Sequence, residues 1–267
     1  MMQRWILLAL SSALAACQTV QTTQPGVVGV ERPQSMMVSS AEVNASAEKA
    51  YQQLVSGATK KGQVNRDPAQ VERVRRIAQR LIPQTGAFRP DAPGWAWETN
   101  VLSSKDVNAW CMPGGKIAVY TGLIERLKPS DDELAAVMGH EIAHALREHG
   151  RERVSQAQAQ GLFIGILGAA AGVSRAGMDL TQVVVDLTIS KPNSRDHETE
   201  ADRIGVELAA RAGYDPRAAI SLWQKMGSQG GGQPPQFLST HPSHESRIRD
   251  LEDYAQRVLP LYEKAKQ

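Results

Sequence analysis

The sequence predicts an α+β domain, mostly helical, with one small β-sheet. Three observations carry this. Strand signals crowd into one stretch, Trp95 to Tyr120. Apolar residues at helical spacing recur on both sides of it. Helix-opening signatures stand at Asp67-Pro68 and at Ser130-Asp131-Asp132-Glu133. The chain has 267 residues, 42% hydrophobic and 22% charged, enough for one good-sized domain. With 30 Lys and Arg against 28 Asp and Glu, the net charge is +2, which gives no reason to expect a nucleic-acid partner. A mean hydropathy of −0.34 argues against a polytopic membrane protein. Two cysteines, Cys17 and Cys111, exclude a disulfide scaffold.

The elements follow in order. Residues 1–16 place Arg4 before an apolar run from Trp5 to Ala16. The run is too short to span a bilayer as a helix and fits an export signal. Leu14-Ala15-Ala16-Cys17 resembles a bacterial lipobox, in which the cysteine is lipidated and becomes the new N-terminus. Gln rather than Asp at position 18 resembles the pattern sent to the outer membrane of Gram-negative bacteria. Residues 17–40, rich in Gln, Thr, Ser, Val and Pro, read as a flexible tether from Cys17. The folded domain is expected over 41–267. Its location would be the inner leaflet of the outer membrane, facing the periplasm.

A helix is expected over about 42–58. A second opens at Asp67-Pro68, a capping residue followed by a first-turn proline. It carries Val71, Val74, Ile77, Ala78 and Leu81 on one face. Pro83 to Gly94 reads as loop. Trp97–Leu102, Val107–Met112 and Lys116–Tyr120 read as strands, with Pro113-Gly114-Gly115 as a turn. Ser130 to Glu133 is a capping box opening a long helix. Residues 161–173 are apolar throughout and too short to span a membrane. They suit a core helix, a flap over a cleft, or a surface that touches membrane. Further helices are expected at about 194–212, 216–226 and 243–257, with loop at 227–240.

His140-Glu141-Ile142-Ala143-His144 lies inside the capped helix. Histidines four apart lie on one face, one turn displaced, so both can bind one metal ion. Glu141 stands beside them, where a carboxylate can take a proton from attacking water. Leu134, Met138, Ile142, Ala145 and Leu146 fall on the opposite face, which suits the core and leaves the histidines a cleft. Catalytic zinc needs a third protein ligand. In the helix after Ser194, Glu198 shares a small-residue face with Ala201, Asp202, Gly205 and Ala209. That makes Glu198 the ligand candidate. Asp202, one turn on, can fix a ligand histidine's tautomer. Glu200 points the other way and reads as solvated surface charge. His149 lies half a turn from His140 if the helix continues, and His197 reads as exposed. His241 sits in Thr240-His241-Pro242, on a loop.

Taken together, His140 to His144 followed by Glu198 and Asp202 resemble the gluzincin peptidases of family M48. Asn108-Ala109-Trp110-Cys111-Met112-Pro113-Gly114-Gly115 and Thr240-His241-Pro242 resemble further segments of that family. The resemblance covers about residues 45–255. It implies a mostly helical gluzincin domain whose edge strand lines the active-site cleft. It implies one zinc ion per chain, held by His140, His144 and Glu198, with Glu141 as general base and acid. His241 would either steady the oxyanion or occupy the fourth site at rest. An extended substrate would pair with an edge strand around Lys116 to Tyr120, making Asn108, Gly114, Gly115, Lys116, Ile117 and Ala118 the substrate-binding residues. The chain most resembles the small lipoprotein members of the family. The implied activity is a periplasmic zinc endopeptidase acting on unfolded or misassembled envelope proteins. The alternative is an assembly or chaperone-like factor for outer-membrane proteins, with latent proteolysis.

Overall fold

The computed structural model describes residues 18–170, 180–228, 235–242 and 245–267, the side chains of 162–170 and 245 excepted. The export signal, Cys17, Ser243 and His244 lie outside the described residues. The elements run β1 (Gln18–Val20), β2 (Gln34–Met36), α1 (Ser40–Lys60) and α2 (Pro68–Leu81). Then come β3 (Glu98–Leu102), β4 (Ala109–Met112), β5 (Lys116–Tyr120), α3 (Thr121–Leu127) and α4 (Asp131–Leu146). After these follow α5 (His149–Ala170), α6 (Leu180–Val185) with a π-turn at Asp186–Ser190, and α7 (Arg195–Arg211). The chain closes with α8 (Ala218–Ser228), α9 (Gln236–Thr240) and α10 (Glu245–Ala265). Helix dominates and the sheets are small, so the α+β expectation holds. No helix among the described residues is long and apolar enough to cross a membrane.

Two helix starts match their sequence signatures. Asp67 accepts hydrogen bonds from the N–H groups of Ala69 and Gln70. Ser130 and Glu133 form a reciprocal capping box. The α2 face of Val71, Val74, Ile77, Ala78 and Leu81 is buried as its spacing predicts. Within the expected loops, Ile82–Ala87 and Ala92–Gly94 form 3-10 turns, and Pro235 opens the short α9. The apolar run 161–173 belongs to α5 as far as Ala170, and its remainder lies outside the described residues.

The three-stranded sheet has the order β3-β5-β4, with β5 parallel to β3 and antiparallel to β4. β5 is therefore central, and both its neighbours consume its main-chain groups. Lys116 to Tyr120 cannot be the edge strand that the sequence suggested. β3 and β4 are the edges, and β4 is the one that packs on α4.

α4 is the axis of the molecule. Leu134, Met138 and Ile142 are fully buried, and so is nearly all of the rest. α7 crosses it closely because two glycines meet: a Cβ on Gly205 would lie 2.8 Å from His140 N, and one on Gly139 2.8 Å from Gly205 O. This crossing brings the two halves of the predicted ligand set together.

Residues 18–40 depart most from expectation. They are not a flexible tether over their length. β1 and β2 form a hairpin, and Val28, Val30, Gln34 and Met36 are buried. Arg32 pairs with Glu152 and Glu200, while Gln34 donates to Arg147 O and Glu152. Its polar residues face two ways: Arg32 and Gln34 reach into a polar cluster, while Gln18, Thr19, Gln21 and Gln24 are exposed.

The Glu152 carboxyl reports on that cluster. Burial acts to raise it, but hydrogen bonds from Arg32, His197 and Gln34 outweigh burial and hold it well below the usual range. A depressed carboxyl stabilises the fold above its unfolded value, near 4.3, and that stability is lost as pH falls through the folded value. Thermal melts are therefore expected to drop in midpoint from about pH 5 to about pH 3. Arg32→Met should flatten that dependence. An equally steep profile in the variant would contradict the assignment.

Candidate active site

His140 and His144 lie one turn apart on α4, and Glu198 and Asp202 one turn apart on α7. α9 ends at Thr240, so His241 follows immediately. These elements bring His140, His144, Glu198 and His241 together, with one ligand atom of each within 4.8 Å of the others. His140 Nε2 lies 3.1 Å from His144 Nε2 and 3.2 Å from His241 Nδ1. Glu198 Oε1 is 2.9 Å from His241 Nδ1 and 3.4 Å from His144 Nε2. His140 Nδ1 donates to Asp202 Oδ1 at 2.9 Å. That makes Nε2 the ring nitrogen that faces the convergence of donors.

All of these side chains are buried. Arg247, from α10, is 1% exposed and donates to Glu198 Oε2 at 2.9 Å and Asp202 Oδ1 at 2.7 Å. Its guanidinium lies 3.4 Å over the Trp223 ring. Sequence reasoning missed Arg247. Its one available signal was its place in the helix that follows Thr240-His241-Pro242.

Glu141 lies 3.3 Å from His241 Nε2. Its Oε1 is buried and has no hydrogen-bond partner among the described residues. Burial raises the Glu141 carboxyl, only partly opposed by His241 and His140. Burial also acts to raise Glu198, but His241, His140 and His144 hold it well below the usual range. Burial pushes His144 down to about 3. It acts to lower His140 too, but Glu198 and Asp202 raise that ring to about 9.

This donor set fits a divalent cation. Glu141, Glu198 and Asp202 are buried carboxylates around the convergence, and Arg247 sets a buried guanidinium against Glu198 and Asp202. The field that holds a proton on His140 is one that a cation would satisfy. Three nitrogens and a carboxylate oxygen suit zinc. Tetrahedral ligands at zinc distances stand ~3.3 Å apart, close to the separations here.

The predicted substrate residues divide. Asn108 is 2% exposed and holds the start of β4, its amide oxygen accepting from Ala109 N and its carbonyl from Tyr120 N. Gly114 and Gly115 form the turn with φ of +83° and +88°, and a Cβ on Gly115 would strike the Trp97 ring. Lys116 is buried and bonds Ala96 O and Glu48, while Ile117 and Ala118 are core. The three β5 residues are thus structural, a consequence of the strand's central place. On β4 the antiparallel two-residue period turns the main-chain groups of Cys111 away from β5. Cys111, Pro113, Glu141, His144, Arg153 and His241 line one pocket.

Two further expectations are corrected. α4 does not continue: Glu148 takes a left-handed φ of +51°, and the restart at His149 turns that ring back toward His144. His149 is 1% exposed, His197 3% and Glu200 6%. Glu200 is covered by Arg32, from the segment 17–40 that the sequence suggested as a flexible tether. Burial pushes His149 well below its ordinary value, with His197, His144 and Arg147 acting in the same direction.

A His-Glu-x-x-His helix crossed by a glutamate-bearing helix, around a buried cation-seeking pocket, defines the class of gluzincin metallopeptidases. Residues 68–255 match the sequence profile of peptidase family M48. The chain belongs to that family, whose metal is zinc. It is 42% identical to the mitochondrial metalloendopeptidase OMA1 of Arabidopsis thaliana, over 59% of this chain and 31% of the relative. It is 36% identical to that of Schizosaccharomyces pombe, over 68% and 52%. It is 28% identical to the beta-barrel assembly-enhancing protease of Escherichia coli, over 73% and 41%. The chain thus spans between about a third and half of the length of these curated relatives.

Proposed function

We propose that this chain is a zinc-dependent endopeptidase of the bacterial envelope. It would hydrolyse peptide bonds in unfolded or misassembled envelope proteins. The observation that carries the reading is the buried Glu141 carboxylate beside the convergent donors of His140, His144 and Glu198. The envelope location, at the outer membrane facing the periplasm through lipid on Cys17, is supported by the lipobox-like Leu14 to Cys17. The likeness to the E. coli protease is consistent with it.

When bound, zinc supplies a Lewis acid next to the scissile carbonyl. The chain's residues do the rest. His140, His144 and Glu198 hold the ion, and Asp202 orients His140. Glu141 takes a proton from the attacking water. Its raised carboxyl retains that proton until the leaving amine accepts it. The substrate main chain pairs along the outer edge of β4 at Cys111, in place of the β5 pairing expected from sequence.

His241 closes this arrangement at rest. Its Nδ1 stands among the ligand atoms at 2.9 Å and 3.2 Å, where a fourth donor would leave no place for water. This favours a second reading in which binding or assembly of outer-membrane proteins comes first and proteolysis is held latent. His241→Ala is expected to raise the cleavage rate of an unfolded test protein such as reduced, alkylated casein by the zinc-loaded full chain. A fall in rate would instead assign His241 to the oxyanion. If neither the wild type nor His241→Ala cleaves while zinc stays bound, the peptidase reading is overturned and the binding reading stands.

A further inference from the structure

One buried histidine next to the site has no part in the steps above. His149 Nδ1 lies 2.8 Å from His144 Nδ1, and His149 Nε2 lies 2.9 Å from Glu200 Oε2. Glu200 in turn accepts from Arg147 Nε at 3.0 Å and from Arg32 Nε at 2.6 Å.

These contacts place the hydrogens by elimination. An ionised carboxylate paired with two guanidinium groups only accepts. His149 Nε2 therefore carries a hydrogen. In a neutral ring, His149 Nδ1 is then an acceptor. The hydrogen between the two Nδ1 atoms belongs to His144. His144 Nε2 keeps its lone pair, directed at the place where His140 Nε2, Glu198 and His241 converge. The opposite tautomer would put a hydrogen in the ligand position. Asp202 does the same service for His140.

We infer that His149, anchored by Glu200, is the positioning residue for His144, holding that ring in the one tautomer able to bind zinc through Nε2. The inference rests on the reading of His144 as a zinc ligand. The helix break at Glu148 is what makes the contact possible, since an unbroken α4 would carry His149 away from His144. The support is also non-local. Arg32 reaches Glu200 from 168 residues away, so the folded N-terminal segment is part of the metal site's frame.

The test is zinc affinity of the metal-free full chain, measured by competition with a chromophoric chelator. The visible spectrum of the cobalt-substituted protein is the second readout. His149→Phe keeps the volume and removes both hydrogen bonds. It is expected to weaken zinc binding by about 10–100-fold and to shift the cobalt spectrum. His149→Gln can accept from His144 through its amide oxygen and donate to Glu200 through its amide nitrogen. It is expected to bind zinc and cobalt as the wild type does. Wild-type affinity and spectrum in His149→Phe would overturn the inference. So would equal losses in both variants, which would mark a packing role alone. Should His149→Phe fail to fold, 15N-histidine NMR of the zinc-loaded wild type decides. A His144 Nδ1 proton protected from exchange is expected, and a freely exchanging one overturns the inference. Undiminished zinc binding by His144→Ala would instead overturn the ligand assignment beneath it.

Discussion

Glu141→Gln is expected to lower peptide hydrolysis by roughly 10²–10⁴-fold while leaving zinc bound. The amide matches the carboxylate in shape, and Glu141 is not among the four donors that converge. Its effect should therefore fall on proton transfer and spare the metal. The carboxylate is suited to that task by its surroundings. Its buried Oε1 has no hydrogen-bond partner among the described residues and lies 3.3 Å from His241 Nε2, within reach of a proton donor at the convergence. Burial raises its carboxyl, which brings the group nearer to the operating pH of a general base. Casein cleavage by the zinc-loaded variant, with zinc content measured on the same sample, is the check. Full activity would remove Glu141 from the chemistry. Loss of zinc would make it a ligand or a support for one.

Much of the site was legible because it depends on helical phase. Four-residue spacing placed His140 with His144 and Glu198 with Asp202, and the small-residue face that marked Glu198 as ligand contains Gly205, where the two helices cross. What was hidden depends on breaks and on distant cover. No periodicity announces the left-handed residue at Glu148, so His149 was assigned to the wrong side. The polar residues of 18–40 have the composition of a tether, and only the structure places Arg32 and Gln34 against Glu152 and Glu200. Helical phase assigned Glu200 and His197 to solvent, and it cannot see that Arg32 covers the one and that Glu152 and His149 hold the other. The strand order was equally hidden. Lys116 to Tyr120 is a short apolar run after one lysine, and such a run does not tell a central strand from an edge strand packed on both faces.

Arg247→Met is expected to destabilise the metal-free protein by about 3–5 kcal/mol, the cost of leaving buried charge unpaired. Arg247 is the buried cation that spans Glu198 and Asp202, with Nη1 on one and Nη2 on the other. Methionine keeps an apolar side chain against Trp223 in place of the guanidinium that lies over that ring, but supplies neither donor. Both carboxylates then remain in a dry site. For a chain of this size the melting midpoint should fall by roughly 6–20 °C. Zinc changes the outcome, because a cation at Glu198 compensates part of the charge that Arg247 leaves behind. The rise in midpoint on adding zinc should therefore be larger in Arg247→Met than in the wild type. Arg247→Lys should recover only part of the stability, since an ammonium cannot present the planar fork that reaches both carboxylates. Melts of wild type, Arg247→Met and Arg247→Lys, each with excess chelator and with zinc, test the two parts separately. A metal-free Arg247→Met that melts with the wild type would show that the two carboxylates take up protons at little cost. An unchanged zinc increment would place the stabilising charge of Arg247 outside the metal's reach.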